Sequence, residues 1–149
     1  MFAKVGGLFG VLKPLDRFAS WLIRLPFAVV FLFHGITKFA NGIDGFATFL
    51  SSNGVSALSL QVAILVAVAE ILVGIGILIG TFLKNDMGDA ATHLAGLVAT
   101  PVMIAAIMMV HWPRWNFTPA MPDHPVGGME FQIVLLCLAL YFMIRGNEA

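Results

Sequence analysis

Mostly apolar stretches, each close to the length of about twenty residues that a helix needs to cross a hydrocarbon core, recur at roughly 21–40, 58–83, 90–110 and 128–144. No soluble fold needs four such runs in a chain of 149 residues. Composition agrees, with 60% apolar residues, 11% charged and a mean hydropathy of +0.96, far from the averages of soluble domains. The expected fold class is therefore all-α, an integral membrane four-helix bundle. The connections support this reading. Residues 41–57 are rich in Gly, Ser and Asn, 84–89 are short and charged, and 111–127 carry Pro113, Pro119, Pro122 and Pro125. Each reads as a loop.

Residues 1–20 differ in pattern. Phe2, Val5, Leu8, Leu12 and Leu15 recur at helical spacing against Lys4, Lys13 and Arg17, which predicts an N-terminal amphipathic interfacial helix. A cleaved signal peptide fits less well, because the long apolar run comes late, carries Arg24, His34 and Lys38, and lacks a small-residue cleavage site. The expected organisation is a surface segment over 1–20 and one transmembrane domain over 21–149. Four spans place both termini on one side. That side holds Lys4, Lys13, Arg17, Arg24, Lys84 and Arg145, against Lys38 and Arg114 on the other, so the termini are expected in the cytoplasm. Trp21 then marks the inner interface, and Trp112 and Trp115 the outer one.

Several function classes are disfavoured. Eight basic and eight acidic residues cancel, leaving no basic face for nucleic acid. Cys137 is the sole cysteine, so no internal disulfide and no cysteine-based metal site can form within one chain. There is no dinucleotide-binding glycine pattern and no self-contained catalytic or electron-transfer motif. His93, His111 and His124 fall at other depths than His34, which argues against paired haem ligation.

Charged groups at bilayer depth each cost at least about 2.5 kcal/mol and are expected to face the bundle. Four stand out: His34, Lys38, Glu70 and Glu130. His34 and Lys38 share one helical face, which Phe27 and Phe31 continue toward Arg24. Glu70 lies on a stripe with Ala63, Ala67 and Gly74, small residues that admit a neighbouring helix. Gly76 and Gly80 read as ordinary helix packing. At the helical rise, Lys38 and Glu130 each lie about 3 Å deep, His34 about 9 Å and Glu70 about 18 Å. That count predicts a Lys38–Glu130 ion pair near the outer surface, with His34 and then Glu70 continuing a polar path to mid-membrane. Such a pair also serves simply to fix helix register. Glu70 is the stronger functional candidate, suited to bind a polar headgroup, relay protons or bond a neighbouring helix. A metal set of His34, Glu70 and Glu130 ranks lower because of its vertical spread. Pro101 is expected to kink the third span and open space beside the bundle axis, with the proline-rich third loop capping its mouth.

Arg24 with FLFHGITKF in the first span, AEILVGIGILIG in the second, and GGMEF with a closing Arg145–Gly146 together resemble the DoxX family over nearly the whole chain from Arg24 to Gly146. The resemblance implies a small bacterial-type inner-membrane protein, with members linked to quinone-coupled thiosulfate oxidation or to membrane-associated thiol and oxidant-defence complexes. It places the family's polar positions on Arg24, Gly35, Lys38, Glu70, Gly80 and Glu130. The long third loop and the abrupt C-terminus depart from the family pattern. The resulting expectation is an accessory or quinone-interacting subunit of a membrane redox system, with His34, Lys38, Glu70, Glu130 and Arg24 as ligand-binding or proton-relay candidates. No covalent cofactor and no metal is implied, and a bound quinone is compatible. The expected partners are lipid, other membrane subunits or further copies of the chain. A purely structural subunit is the alternative, and a small transporter ranks behind it because four helices without an internal repeat enclose little volume.

Overall fold

A computed structural model describes residues 9–112, Trp115 and residues 128–148. A 3-10 turn at Phe9–Leu15 leads into α1 (Asp16–Ala40), followed by a short α2 (Ile43–Ser52), α3 (Ser59–Phe82), α4 (Asp86–Ala106) and α5 (Glu130–Arg145). The last turn of α4 widens to π geometry over Ile107–His111, and a 3-10 turn at Gly146–Glu148 follows α5. Helices α1, α3, α4 with its π turn, and α5 with its closing 3-10 turn are each long and apolar enough to cross a bilayer. The protein is a multi-pass, all-helical membrane bundle.

Two boundaries differ from the sequence expectation. Asp16–Ser20, assigned to the surface segment, are the opening turns of α1, while residues 1–8 lie outside the described residues. More consequentially, the expected loop 41–57 contains the helix α2. Its Ile43, Phe46, Ala47 and Leu50 recur at helical spacing, and Ala47 and Leu50 are buried with Ala63 of α3. The Gly, Ser and Asn content masked this short amphipathic pattern. Gly42 and Gly54 flank the helix at φ +93° and +97°, a conformation that glycine adopts without steric cost. They let the chain turn sharply before and after it.

The long helices pack through glycines, as expected where close van der Waals approach must replace a hydrophobic driving force. A Cβ on Gly35 of α1 would stand 2.6 Å from the Ala67 carbonyl oxygen of α3, and one on Gly74 would stand 2.8 Å from the Ala28 carbonyl oxygen. Gly76 and Gly80 face α4 at Ala91, Ala95 and Thr92, and Gly96 of α4 lies against the backbone of Ala139 and Met143 in α5. The predicted stripe Ala63, Ala67, Glu70 and Gly74 is buried along its length. Between the helices, Phe27, Phe31, Val73, Ile77, Ala99, Leu135 and Phe142 form one core. Phe27 meets Phe142 edge to face at 5.1 Å, joining α1 to α5. Leu22, Leu65, Phe82 and Ile144 point outward, an apolar surface suited to lipid.

Both ends carry aromatic residues. Trp21 meets Phe82 at 5.3 Å beside the α3–α4 connection, and Trp112 and Trp115 are exposed after α4. The capping role expected of the third loop falls almost wholly outside the described residues.

Gly96 and Gly45 make a controlled comparison. A side chain at Gly96 would run into the Met143 and Ala139 backbone, whereas a Cβ at Gly45 meets nothing within 4 Å. Overpacking of this kind costs about 1–3 kcal/mol or more. We expect Gly96→Val to lower the melting temperature in detergent sharply or to prevent folding, and Gly45→Ala, at an open helical position, to leave it unchanged or to raise it slightly, since alanine favours a helix over glycine by about 0.5–1 kcal/mol.

Candidate functional site

Lys38 and Glu70 meet across the α1–α3 contact. Lys38 Nζ donates to both carboxylate oxygens of Glu70, at 2.9 Å to Oε1 and 2.6 Å to Oε2, and to the His34 carbonyl oxygen at 3.3 Å. The side chains are 16% and 5% exposed, respectively. Phe46 of α2 lies over the ammonium at 4.9 Å, adding a cation–π contact.

This overturns the expected Lys38–Glu130 pair. The depth count assumed that the first two spans begin and end at one level. Instead Gly35 lies beside Ala67 and Ile71, and α1 runs on to Ala40, so the opening residues of α3, from Ser59, project past the end of α1 and pack against α2. That offset of about one turn is worth roughly 5–8 Å of rise. The remainder is closed by the lysine itself, because side chains on a helix lean toward its N-terminus. Lys38 folds back over one turn of α1, past the His34 carbonyl, onto Glu70. Glu130 opens α5 and has contacts of its own. It is not the partner that Lys38 takes.

The ion pair borders a cavity of about 340 Å³. The walls are almost entirely apolar and come from every described helix: Phe31 of α1, Phe46 and Leu50 of α2, Val66 of α3, Met103 and Met109 from α4 and its π turn, and Leu135 of α5. The polar groups that reach it are His34, Lys38, Glu70, His111 and Gln132. His34 is exposed and stands at the rim, so it marks the mouth of the cavity instead of a step on a descending path. Val102, Met103, Ala105 and Ala106, just after Pro101, line one side, where the expected space beside the axis is found. Gln132 was not among the sequence candidates. Its position two residues beyond Glu130 was the available signal, since it turns a different face of α5 to the bundle.

Arg24 belongs elsewhere. Ten residues separate it from His34, about 15 Å along the helix, at the end of the bundle where α3 meets α4. It is fully buried, donates to Thr92 Oγ1 at 3.2 Å and to the Gly146 carbonyl oxygen at 2.8 Å, and lies 5.3 Å from the Phe142 ring centre. Its Nε has no hydrogen-bond partner. The acceptors are neutral, so its charge reaches outward. Lys84, just beyond α3, has its pKa pushed below the usual lysine value by burial first and by the Arg24 charge second. Asn147 completes this corner. Its amide N–H donates to Asp89 at 2.7 Å and its side chain to the Leu83 carbonyl oxygen at 3.0 Å, while His93 Nδ1 sits 2.8 Å from the Met143 carbonyl oxygen. Gly146 has φ +54° and ψ −132°, and a side chain there would collide with Asp89 and His93. The closing Gly146–Asn147 turn is thus a C-terminal latch on α1, α4 and the end of α3. Thr92, Asp89 and Asn147 were not singled out from sequence, because each is an ordinary residue of a helix end until the fold brings it to Arg24.

Among the described residues no group of three His, Cys, Asp or Glu side chains is placed to hold a metal ion, and His34, Glu70 and Glu130 do not form the ligand set weighed from sequence.

The DoxX family model matches residues 19–112, from the start of α1 through the π turn after α4. GGMEF and the closing Arg145–Gly146 lie beyond the matched stretch. No curated protein and no solved structure matches the chain.

Removing one partner of a buried ion pair costs about 3–5 kcal/mol, because the other charge is left uncompensated. We expect Lys38→Met and Glu70→Gln each to destabilise the protein by an amount of that order. The joint variant should lose clearly less than the sum, and a double-mutant cycle by thermal denaturation in detergent measures the difference.

Proposed function

The chain belongs to the DoxX family, and from that membership together with the cavity we propose that it binds a quinone-class amphiphile as an accessory subunit of a membrane redox system. The observation that carries this reading is the lining of the cavity. Apolar walls from all the described helices surround a restricted polar edge made by Lys38 and Glu70, with Gln132 on α5. Ligand sites typically combine an apolar lining with a few placed polar groups that fix orientation. A lipid-soluble ring headgroup with an apolar tail matches both parts. His34 at the mouth gives such a molecule a polar contact on entry from the bilayer.

In this reading the chain moves no electrons by itself. Two-electron chemistry resides in the bound quinone and in a partner subunit. The excess of basic residues on the terminal side supports an orientation with both termini cytoplasmic, and the family membership supports a bacterial-type inner membrane as its location. The cavity then lies nearer the outer surface, and the Arg24 latch faces the cytoplasm. A structural subunit remains the rival reading, and the two diverge in what co-purifies.

Mass spectrometry of the protein gently extracted from its native membrane tests the proposal. We expect near-stoichiometric quinone in the native protein and at least a tenfold loss of it, on the order of 1.4 kcal/mol, in Ala106→Phe, which fills the cavity while leaving Lys38 and Glu70 paired. A stable partner subunit with no ligand, unchanged in that variant, would make this a structural subunit and sink the proposal.

A further inference from the structure

Helix α2 has open space on two sides. On one lies the cavity, with Phe46, Phe49 and Leu50 in its wall. On the other is a more open cleft of about 240 Å³ between α1 and α2, edged by Thr37, Asn41, Gly42 and Gly45. Lys38 and Phe46 line both spaces, so they form the partition between them. A Cβ at Gly42 or Gly45 would meet nothing within 4 Å, which leaves this edge of the helix unpacked. Elsewhere Ala47 and Leu50 rest on Ala63 of α3, a contact limited by the small side chains of the two alanines. Gly42 and Gly54, at φ +93° and +97°, stand at the two ends of α2, where no Cβ restricts rotation of the backbone. The tie across the cleft to α1 is the Phe46 ring, 4.9 Å from Lys38 Nζ.

A lid moves on a few residues at element ends, commonly small ones, and it needs room to swing and a contact that can break. Helix α2 has all three. A cation over a ring face is attracted by the ring quadrupole, so Lys38 holds Glu70 through its N–H groups and α2 through Phe46 at the same time. We propose that α2 is the lid of the cavity, hinged at Gly42 and Gly54 and latched shut by the Phe46 ring on the Lys38 ammonium. When α2 swings, Phe46 leaves the partition, and cavity and cleft become one space. The polar edge made by Lys38 and Glu70 then opens toward the end of α1, a second route besides the rim at His34. The inference takes from the reading above only that the cavity receives a ligand, and its test needs none.

Hydrogen exchange of the full-length protein in nanodiscs, read by mass spectrometry, measures the opening, because amides that exchange through local opening report the population of the open form. We expect the amides of residues 46–52 to exchange at least about tenfold faster than those of 63–67, the stretch of α3 beside them. Phe46→Leu should speed exchange over 46–52 about fivefold more, the scale of a partly desolvated cation–π contact, whereas Phe46→Trp, which keeps an aromatic face, should not. Lys38→Met joined to Glu70→Gln removes the ammonium without leaving a lone buried charge and should speed exchange as much. In that background Phe46→Leu should add less than about twofold. A thiol placed at Val66, on the cavity wall, in a Cys137→Ser chain should react with a charged methanethiosulfonate about fivefold faster once Phe46→Leu is added. An effect of Phe46→Leu that persists in full without the ammonium assigns Phe46 to packing and overturns the latch. Unchanged reactivity at position 66 overturns the route into the cavity. Exchange over 46–52 as slow as over 63–67 in the native protein overturns the lid, whether or not any variant folds. None of these failures touches the quinone-class reading, which stands or falls on what co-purifies.

Discussion

Gly35 and Gly74 let the backbones of α1 and α3 touch, and that contact sets the level at which Lys38 meets Glu70. A bilayer supplies no water to satisfy a stray charge, so the position of every ionisable group must be settled by the helix register. With bulkier residues at 35 and 74 the helices would stand further apart, and a lysine folded back over one turn would fall short of its carboxylate. The same register leaves the opening residues of α3 projecting past α1. Helix α2 covers them, and its Phe46 and Leu50 become cavity walls. Ion pair, covering helix and cavity are thus three consequences of one close helix contact.

The two buried cations solve the same problem differently. Lys38 is neutralised by a carboxylate at bonding distance, with an aromatic ring over it. Arg24 is held by a hydroxyl, a backbone carbonyl and a ring face, with no carboxylate at bonding distance. The planar guanidinium suits such a divided arrangement, since it presents several donors in fixed directions and is less strongly hydrated than an ammonium. Its task is to join segments far apart in the chain, α1 to α4 and to the C-terminal turn. A neutral pair beside a cavity can turn spare lone pairs toward a ligand, whereas a cation already spread over three segments is committed to holding them.

The sequence made the bundle legible because four apolar runs near twenty residues admit few other folds, and the small-residue stripe through Ala63, Ala67, Glu70 and Gly74 faces inward as its spacing implies. It also pointed to Lys38 and Glu70 separately as buried charges. Their pairing was not legible, because it depends on an axial offset between helices that no single helix encodes, and on α2, whose short amphipathic pattern is hidden among Gly, Ser and Asn. Counting depth from hydropathy boundaries paired Lys38 with Glu130 for that reason. Gln132 escaped notice for a related one. A neutral amide in an apolar helix stands out only once its carbonyl is found buried with no donor. Asp89, Thr92 and Asn147 become a site only through the turn that Gly146 allows.

The widening of α4 at Ile107–His111 shapes the cavity from the side opposite α2. A helix loosened to π geometry carries an extra residue in a turn, which shifts the side chains beyond it around the axis, and such turns recur at functional sites. Here the turn brings Met109, Val110 and His111 to the same space as Phe46 and Leu50 of α2. The two irregular elements of the bundle, a short covering helix between positive-φ glycines and a widened helical turn, therefore both lie where the long helices leave room. Regular coiled packing would have closed that space. Low-φ-cost turns on one side and loosened helix on the other are what a bundle needs to keep it open while every long helix still finds glycine-close contact elsewhere.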